Sequence, residues 1–331
     1  MAETFRALLV EQDEQKVFTR RIAERRIDEL PAGELLLQVQ YSSLNFKDAL
    51  SATGNPGVTR TFPHTPGIDA AGVVVSCSDG SFTPGEQVIV TSYDLGMETD
   101  GGFGQLIRVP SRWGVRLPEG LTLQESMMLG TAGLTAALSV YRLEQAGVTP
   151  ADGPILVTGA TGGVGSLAVA LLAKSGYRVT AATGKPAESD YLRGIGAAEV
   201  IGRSEVLQGS ERPLMKPRWA GVVDCVGGEL LAAAIKATSP GGAVTCCGLV
   251  GSSDLPLNVF PFILRGVSLI GIDSAECAMP LRSAVWQKLA TTWKLDALAS
   301  MVDEVGLAGL EEKIQAMLRG ELKRRVLVRL F

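Results

Sequence analysis

The pattern of apolar and polar positions changes character near residue 124. Before it, short apolar runs are separated by turns rich in Pro and Gly, which is typical of a β-rich, barrel-like domain. After it, apolar stretches of helical length alternate with short apolar runs of the kind found in buried parallel strands. This alternation predicts a doubly wound parallel sheet, and therefore an α/β protein with two domains.

The predicted elements follow from these runs. In the first part, strands are predicted at residues 7–10, 34–41, 72–75 and 87–90. In the second part, helices are predicted at 124–146, 163–175, 187–195 and 228–238, and strands at 154–158, 177–182, 198–201, 220–225, 242–247 and 267–272. Helices at 281–294 and 307–319 and a strand at 325–330 close the chain. The last strand has no place left in the parallel sheet, so we expect it to return to the first domain, giving domains 1–124 with 273–331, and 125–272.

The most informative local segment runs from Ile155 to Ala173. An apolar strand enters a turn containing Gly159, Gly162 and Gly165, and this turn opens directly into an apolar helix. Glycines at this spacing allow close approach to a pyrophosphate, and the helix N-terminus offers N–H groups and a positive dipole end to it. The segment predicts dinucleotide binding, with the phosphate contacts at Thr161, Gly162, Gly163 and Val164.

The residues after the next predicted strand indicate which dinucleotide is bound. NAD-preferring proteins place an acidic residue there to bind the ribose 2′-hydroxyl, whereas this chain has Thr183, Gly184 and Lys185. Arg203 follows the third strand of this part and could add a second charge, because guanidinium groups match phosphate oxygens well. Lys185 and Arg203 could instead be ordinary solvated loop charges. The pattern favours NADPH as the cofactor.

Composition restricts the class of protein and its partners. The 331 residues are 46% hydrophobic and carry a net charge of −4, without a basic patch that would favour nucleic acid. The chain shows neither a secretory signal nor an apolar run of membrane-spanning length. Its five cysteines are an odd set without metal-type spacing, and Cys246 and Cys247 are predicted to be buried in a core strand. We therefore expect a cytoplasmic protein without disulfides, and neither nucleic acid nor a membrane as a partner.

Several sequence motifs together resemble those of the medium-chain dehydrogenase/reductase superfamily, in its zinc-free quinone oxidoreductase branch. They occur in family order and comprise Ser43–Asp48, Pro66–Val74, Pro84–Val88, Asp100–Gly104, Leu129–Ala136 and the glycine turn. Within that branch, Tyr41–Leu50, Phe260–Arg265 and Gly271–Ser274 are similar to the acrylyl-CoA reductase-like subgroup.

The resemblance implies a GroES-like β-barrel-type catalytic domain and a Rossmann NADPH-binding domain. It also implies a homodimer, formed through the edge strand 267–271, since an uncovered apolar edge invites pairing. The implied reaction is NADPH-dependent reduction of an activated carbon–carbon double bond without a metal, as in acrylyl-CoA to propanoyl-CoA. Further cofactor contacts carried over by position are Phe46, Thr131, Thr135, Leu249, Ile263, Ser274 and Arg319.

Two departures from the superfamily pattern bear on chemistry. Zinc-dependent members have Gly-His-Glu where this chain has Gly67-Ile68-Asp69, and the four-cysteine lobe of those members is absent from the sequence. His64 is the single histidine, so a His/Cys ligand set for catalytic zinc cannot be assembled, and we interpret it as a loop histidine. Near the C-terminus the subgroup usually has an Asn-Gln pair and a Gly-Arg, whereas residues 319–325 read Arg-Gly-Glu-Leu-Lys-Arg-Arg.

The candidate catalytic residues are Asn45, Asp48 and Asp69. Asn45 would orient the substrate or the nicotinamide amide, and the two carboxylates would fix loop geometry or relay a proton. Each could instead be a turn-capping residue. Tyr41 and Tyr93 are further candidates for protonating the product.

Three functions remain open at this point. The first is reduction of acrylyl-CoA, and the second is a general reductase of quinones or alkenals. The third is an NADPH-binding protein without catalysis, because the glycine turn and the cation pair serve binding alone. Arg112, Arg116 and Lys323 could pair with CoA phosphates, although nothing in the sequence links them.

Overall fold

The structure, a computed structural model, describes residues 4–331. The chain divides into two compact units. The first contains the residues up to Thr131 together with Ala275–Ala290 and Leu298–Phe331, and the second contains Ala132–Ser274 and Thr291–Ala297.

The regular elements of the described residues are as follows. The strands are β1 Thr4–Gln12, β2 Phe18–Arg26, β3 Leu35–Leu44, β4 Asp69–Cys77, β5 Gln87–Thr91, β6 Leu106–Val109, β7 Val115–Arg116, β8 Ile155–Val157, β9 Val179–Thr183, β10 Glu199–Gly202, β11 Trp219–Asp224, β12 Thr238–Cys246, β13 Ser268–Gly271, β14 Val302–Gly306 and β15 Arg325–Arg329. The helices are α1 Phe46–Ser51, α2 Leu123–Gln145, α3 Gly163–Lys174, α4 Ser189–Gly194, α5 Arg203–Leu207, α6 Gly228–Lys236, α7 Phe260–Arg265, α8 Met279–Ala290 and α9 Leu310–Leu318.

The first unit is built around a mixed sheet in the order β14-β15-β3-β4-β5-β7, with β6 also pairing with β3. In β3 the alternate residues Leu35, Leu37 and Val39 are fully buried, as expected for a strand with one face on the core. The closing strand β15 pairs antiparallel with β3. The C-terminal strand therefore lies in the first unit.

The second unit contains a six-stranded sheet in the order β10-β9-β8-β11-β12-β13. Each adjacent pair is parallel, so the order along the chain is that of the doubly wound nucleotide-binding fold. All three residues of β8 are fully buried, which explains its uninterrupted apolar sequence. The predicted fold class is confirmed.

The sequence pattern missed four strands of the first unit, β2, β6, β7 and β14, and extended one helix beyond its end. β2 contains the charged run Arg20-Arg21 and Arg25-Arg26, yet it pairs with β1 along its whole length. β14 is half exposed and acidic, and it is held at the sheet edge by parallel pairing with β15. The helix predicted at 281–294 ends at Ala290, where the chain leaves the first unit.

Cys246 and Cys247 are not the buried core residues that the sequence predicted. Cys246 is the last residue of β12 and Cys247 lies just beyond it, and both side chains are partly exposed. The strand ends earlier than the apolar run, so these two residues lie at the carboxyl edge of the sheet.

Candidate active site

The glycine turn of the second unit connects the end of β8 to the start of α3. Gly162 is the N-cap of α3, and Gly163, Val164 and Gly165 form its first turn, whose N–H groups have no partner within the helix. A Cβ atom at Gly165 would overlap the carbonyl oxygen of Gly159. The turn can thus pack this tightly only with glycine, and it presents helix N–H groups to an anion.

The residues predicted to meet the 2′-phosphate lie together at the end of β9. Thr183 closes the strand, and its hydroxyl accepts the N–H of Lys185 at 2.9 Å and lies 3.3 Å from the hydroxyl of Thr161. The guanidinium of Arg203 packs against Gly184. A Cβ atom added at Gly184 would lie only 2.8 Å from the guanidinium carbon. Two cationic residues and two hydroxyls therefore border this turn.

The remaining second-unit candidates are distributed along the carboxyl side of the same sheet and beyond it. The hydroxyl of Thr135 donates to that of Ser274 at 2.7 Å. Leu249 and Ile263 are each 68% exposed. Leu249 lines a cavity of about 540 Å³ with Gly248 and Cys247, whereas Ile263 lies on α7 outside that lining.

In the first unit, a buried carboxylate, Asp69, organises a polar cluster. Its two oxygens accept the hydroxyl of Ser43 at 2.5 Å, the side-chain amide of Asn45 at 2.7 Å and the hydroxyl of Thr131 at 2.6 Å. The backbone N–H of Thr131 also donates to both oxygens at 2.9 Å. Since its hydroxyl proton goes to Asp69, Thr131 accepts the hydroxyl of Ser92 at 2.9 Å.

Arg325 is the member of this cluster that the sequence did not single out. It is 3% exposed, and its guanidinium donates to Asn45 Oδ1 at 3.0 Å and to Ser43 Oγ at 2.7 Å. One guanidinium nitrogen lies 3.9 Å from an Asp69 oxygen. Arg325 begins β15, and the pairing of β15 with β3 is the contact that brings it here. The sequence does contain a signal that could have identified Arg325, because it is a basic residue at the start of a strand that is expected to be buried.

A bend in α2 at Gly130 brings the next residue, Thr131, to Asp69. Gly130 has φ 53° and ψ −156° within the helix, a conformation that favours glycine. A side chain here would also overlap Ser43 Oγ and the Asp69 carboxylate. Gly130 thus lets the Thr131 N–H point at Asp69.

Asp48 is fully buried beside this cluster but faces backbone. Its oxygens accept the N–H groups of Asn45 and Ile68, both at 2.7 Å. Burial and the charge of Asp69 raise the pKa of Asp48 to about 7. One oxygen caps the start of α1 and the other accepts the N–H of the residue before β4, so both are occupied by backbone, as in a turn-capping residue.

The other first-unit candidates lie outside this cluster. Phe46 begins α1 and is 44% exposed. Arg319 pairs with Glu321 on the surface at 2.8 Å. Tyr41 lies in β3, partly buried. The hydroxyl of Tyr93 donates to the carbonyl of Cys277 at 3.4 Å, and its ring stacks on Trp113.

The donor set does not fit a catalytic zinc ion. His64 is buried, its Nδ1 lies 3.8 Å from Asp100, and desolvation lowers its pKa. Throughout residues 4–331, no three His, Cys, Asp or Glu side chains meet as a set of metal ligands. Nor, over that same range, does any helix have the length and apolar character needed to cross a bilayer.

Two families match the chain. Residues 31–119 match the alcohol dehydrogenase GroES-like domain, and residues 163–291 match the zinc-binding dehydrogenase family. The putative quinone oxidoreductase YhfP of Bacillus subtilis is 45% identical over 100% of both chains. The chain belongs to the medium-chain dehydrogenase/reductase superfamily. It is an oxidoreductase of the quinone oxidoreductase and acrylyl-CoA reductase-like branch, as the sequence resemblance implied.

Two further comparisons describe relatives within this superfamily. The acrylyl-CoA reductase AcuI of Ruegeria pomeroyi is 42% identical over 98% of both chains. The yhdH oxidoreductase of Salmonella enterica, crystallised in complex with NADP, matches with a TM-score of 0.95 and 40% identity, covering 98% of this chain and 100% of that one. The structure of yhfP from Bacillus subtilis has NAD bound and matches with a TM-score of 0.97 and 44% identity, covering 99% and 100%.

Proposed function

We propose that this protein uses NADPH to reduce the activated carbon–carbon double bond of an enoyl-CoA thioester, with acrylyl-CoA reduced to propanoyl-CoA. The main support is the similarity to the Ruegeria pomeroyi acrylyl-CoA reductase along 98% of both chains. In this proposal residues 125–272 hold the cofactor, and residues 1–124 with 273–331 form the catalytic domain.

The second unit fits a phosphorylated nicotinamide dinucleotide. The first turn of α3, with Gly162, Gly163 and Val164, would hold the pyrophosphate through N–H groups. Arg203, packed over Gly184 beside Lys185, would bind the 2′-phosphate. The Salmonella relative with NADP bound agrees with this choice, whereas the Bacillus relative with NAD bound makes cofactor preference the first property to measure.

The cofactor, when bound, supplies a hydride for the β-carbon of the thioester. Negative charge then develops on the thioester oxygen as an enolate, and the α-carbon takes a proton from solvent or from an acid of the protein. Within the first unit, Asp69 holds Asn45 and Thr131 in place, and Arg325 balances the negative charge of that carboxylate. Asn45 and Asp69 are thereby proposed as positioning residues, and Asp48 as the residue that fixes the loop before α1.

A quinone or alkenal reductase is the second candidate. It is favoured by the 45% identity to the protein named as a putative quinone oxidoreductase. Both candidates need the same hydride donor and differ in the acceptor, so the sequence pattern of the cofactor site cannot separate them.

The two candidates are separated by steady-state kcat/KM values for acrylyl-CoA, acrolein and 1,4-benzoquinone, each measured with NADPH and with NADH. The proposal expects acrylyl-CoA with NADPH to give the highest value. Equal or higher values with acrolein and benzoquinone would replace it with the general reductase. Tight NADPH binding without turnover of any acceptor would leave a binding protein.

We also propose that the protein is a homodimer formed through β13 and α7. β13 is an edge strand of the six-stranded sheet, and Leu269 on it is 37% exposed. The adjoining exposed apolar residues are Val259 at 60%, Ile263 at 68% and Leu264 at 64%. An isologous pairing of β13 with its copy would cover this edge and the apolar residues beside it.

Size-exclusion chromatography with light scattering tests the dimer. Wild type is expected at twice the chain mass, and Leu264→Glu at one chain mass. Leu318→Glu is the matched control, because Leu318 is an exposed leucine of α9 in the other unit. A monomeric wild type would end this part of the proposal.

A further inference from the structure

Two cysteines meet at the carboxyl edge of the six-stranded sheet. β11 and β12 are parallel with Asp224 opposite Cys246, so Cys225 and Cys247 occupy the next pair of positions. Their Sγ atoms are 3.9 Å apart. The N–H of Cys247 donates to the carbonyl of Asp224 at 3.0 Å, which extends the backbone pairing past the strand ends.

The backbone spacing at this pair suits a disulfide. Neighbouring strands lie about 4.7–4.9 Å apart, and disulfides join Cα atoms about 4.4–6.8 Å apart. The two backbone segments are in direct contact here, since a Cβ at Gly248 would overlap the carbonyl of Cys225. To reach the S–S length of about 2.05 Å, the sulfurs must approach by about 2 Å, which side-chain rotation can supply.

The pair is accessible and its two members differ. Cys247 lines the cavity of about 540 Å³ at this edge, whereas Cys225 is not among the lining residues. The hydrogen bond shared with Cys247, together with burial, raises the pKa of the Cys225 thiol. Cys225 therefore remains protonated, and an oxidant entering the cavity meets Cys247 first.

We propose that Cys225 and Cys247 form a redox-active dithiol, which a peroxide converts reversibly to a disulfide. The Cys247 thiolate attacks the peroxide, the O–O bond breaks, and a sulfenic acid forms on Cys247 as hydroxide leaves. The sulfur of Cys225 then displaces the hydroxyl group, which departs as water with the remaining thiol proton. Two thiols are oxidised by two electrons in total, and one hydrogen peroxide is reduced to two waters.

The disulfide would change the lining of the adjacent cavity. Gly248 and Leu249 directly follow Cys247 and line the same cavity, and ligands of doubly wound sheets bind outside the carboxyl ends of the strands. Provided that NADPH binds there, as the proposed function requires, the bridge would displace Leu249 and weaken cofactor binding. Transient bridges of this kind are the form in which disulfides occur in reducing compartments.

Peptide mapping of the full chain tests the bridge without reference to activity. Trypsin separates residues 219–236, which contain Cys225, from residues 237–265, which contain Cys246 and Cys247. After hydrogen peroxide treatment, mass spectrometry without reductant is expected to find these two peptides linked, and dithiothreitol is expected to release them. Cys246→Ser should retain the link, whereas Cys225→Ser and Cys247→Ser should each lose it. Absence of the link in wild type, or its loss in Cys246→Ser, would overturn the proposal.

NADPH fluorescence titration tests the consequence for binding. Oxidised wild type is expected to bind several-fold more weakly than reduced wild type, with full recovery in dithiothreitol, while peroxide leaves the affinity of Cys247→Ser unchanged. Unchanged affinity in a fully linked sample would refute the coupling to the cofactor but not the dithiol. Failure of the reduced protein to bind NADPH would instead refute the proposed function.

Discussion

The cofactor turn of the second unit and the Asp69 cluster of the first unit are built in opposite ways. The turn uses consecutive residues between β8 and α3, so its shape follows from local glycine chemistry. The cluster joins Ser43, Asn45, Asp69, Thr131 and Arg325, which are brought together by pairing of β3 with β4 and β15 and by the bend at Gly130. Local sequence can therefore specify a binding turn, whereas a buried polar cluster depends on the completed sheet.

Loss of Arg325 should produce the largest effect of the changes considered. Arg325→Met leaves the buried Asp69 without its cation, which is expected to cost about 3–5 kcal/mol in the free energy of unfolding. Urea denaturation measures it. Arg329→Met is the control on the same strand, because Arg329 pairs with Glu304 at the surface at 3.0 Å and should cost less than about 1 kcal/mol. Equal losses would show that the cluster does not depend on Arg325.

The cation of the cofactor turn should determine cofactor choice rather than stability. Arg203→Ala removes a charge-assisted contact to a 2′-phosphate of about 1.5–3 kcal/mol, which lowers kcat/KM for NADPH by about 10–100-fold and leaves that for NADH nearly unchanged. Exposed Arg193→Ala is the control. A parallel loss with both cofactors would argue against 2′-phosphate binding by Arg203.

Close packing of the turn can be tested without changing charge. In Gly165→Ala the added Cβ meets the carbonyl of Gly159, and such overpacking costs about 1–3 kcal/mol. Thermal unfolding and NADPH titration should both show the loss. Gly194→Ala adds the same atom in open space near the end of α4. If Gly165→Ala behaved like that control, the tight approach would not be required.

Titration of Asp48 should make the free energy of unfolding depend on pH. Burial and the charge of Asp69 raise the pKa of Asp48 from 3.8 to about 7, so the folded chain keeps a proton that the unfolded chain has released. This contribution to stability is complete below pH 3.8 and is lost as pH rises through 7. The free energy of unfolding should thus fall by at most about 1.4 kcal/mol per pH unit as pH rises from 3.8 to about 7.

Asp48→Asn should remove that part of the pH dependence of unfolding measured in urea. The exposed carboxylate variant Glu14→Gln should keep the wild-type slope. Identical slopes in wild type and Asp48→Asn would mean that Asp48 titrates near its ordinary pKa.

Prediction from sequence succeeded where the signal is short-range. The parallel sheet and the segment before α3 were predicted because apolar runs and glycine spacing act within a few residues. β2 was missed because its charged residues are accommodated by pairing with β1 and by contacts such as that of Arg20 with Glu311 at 2.7 Å. Cys246 and Cys247 were placed in the core because an apolar run does not mark where its strand stops pairing.

The sequence by itself determined the family, the two kinds of fold and the turn suited to a dinucleotide, since these depend on consecutive residues and their periodicity. The tertiary structure alone decided that Arg325 neutralises Asp69, that Asp48 also accepts the N–H of Ile68, and that Cys225 lies beside Cys247. These pairs are separated by tens to hundreds of positions along the chain. Their contacts exist because strand pairing brings distant segments within hydrogen-bond distance, which no local pattern records.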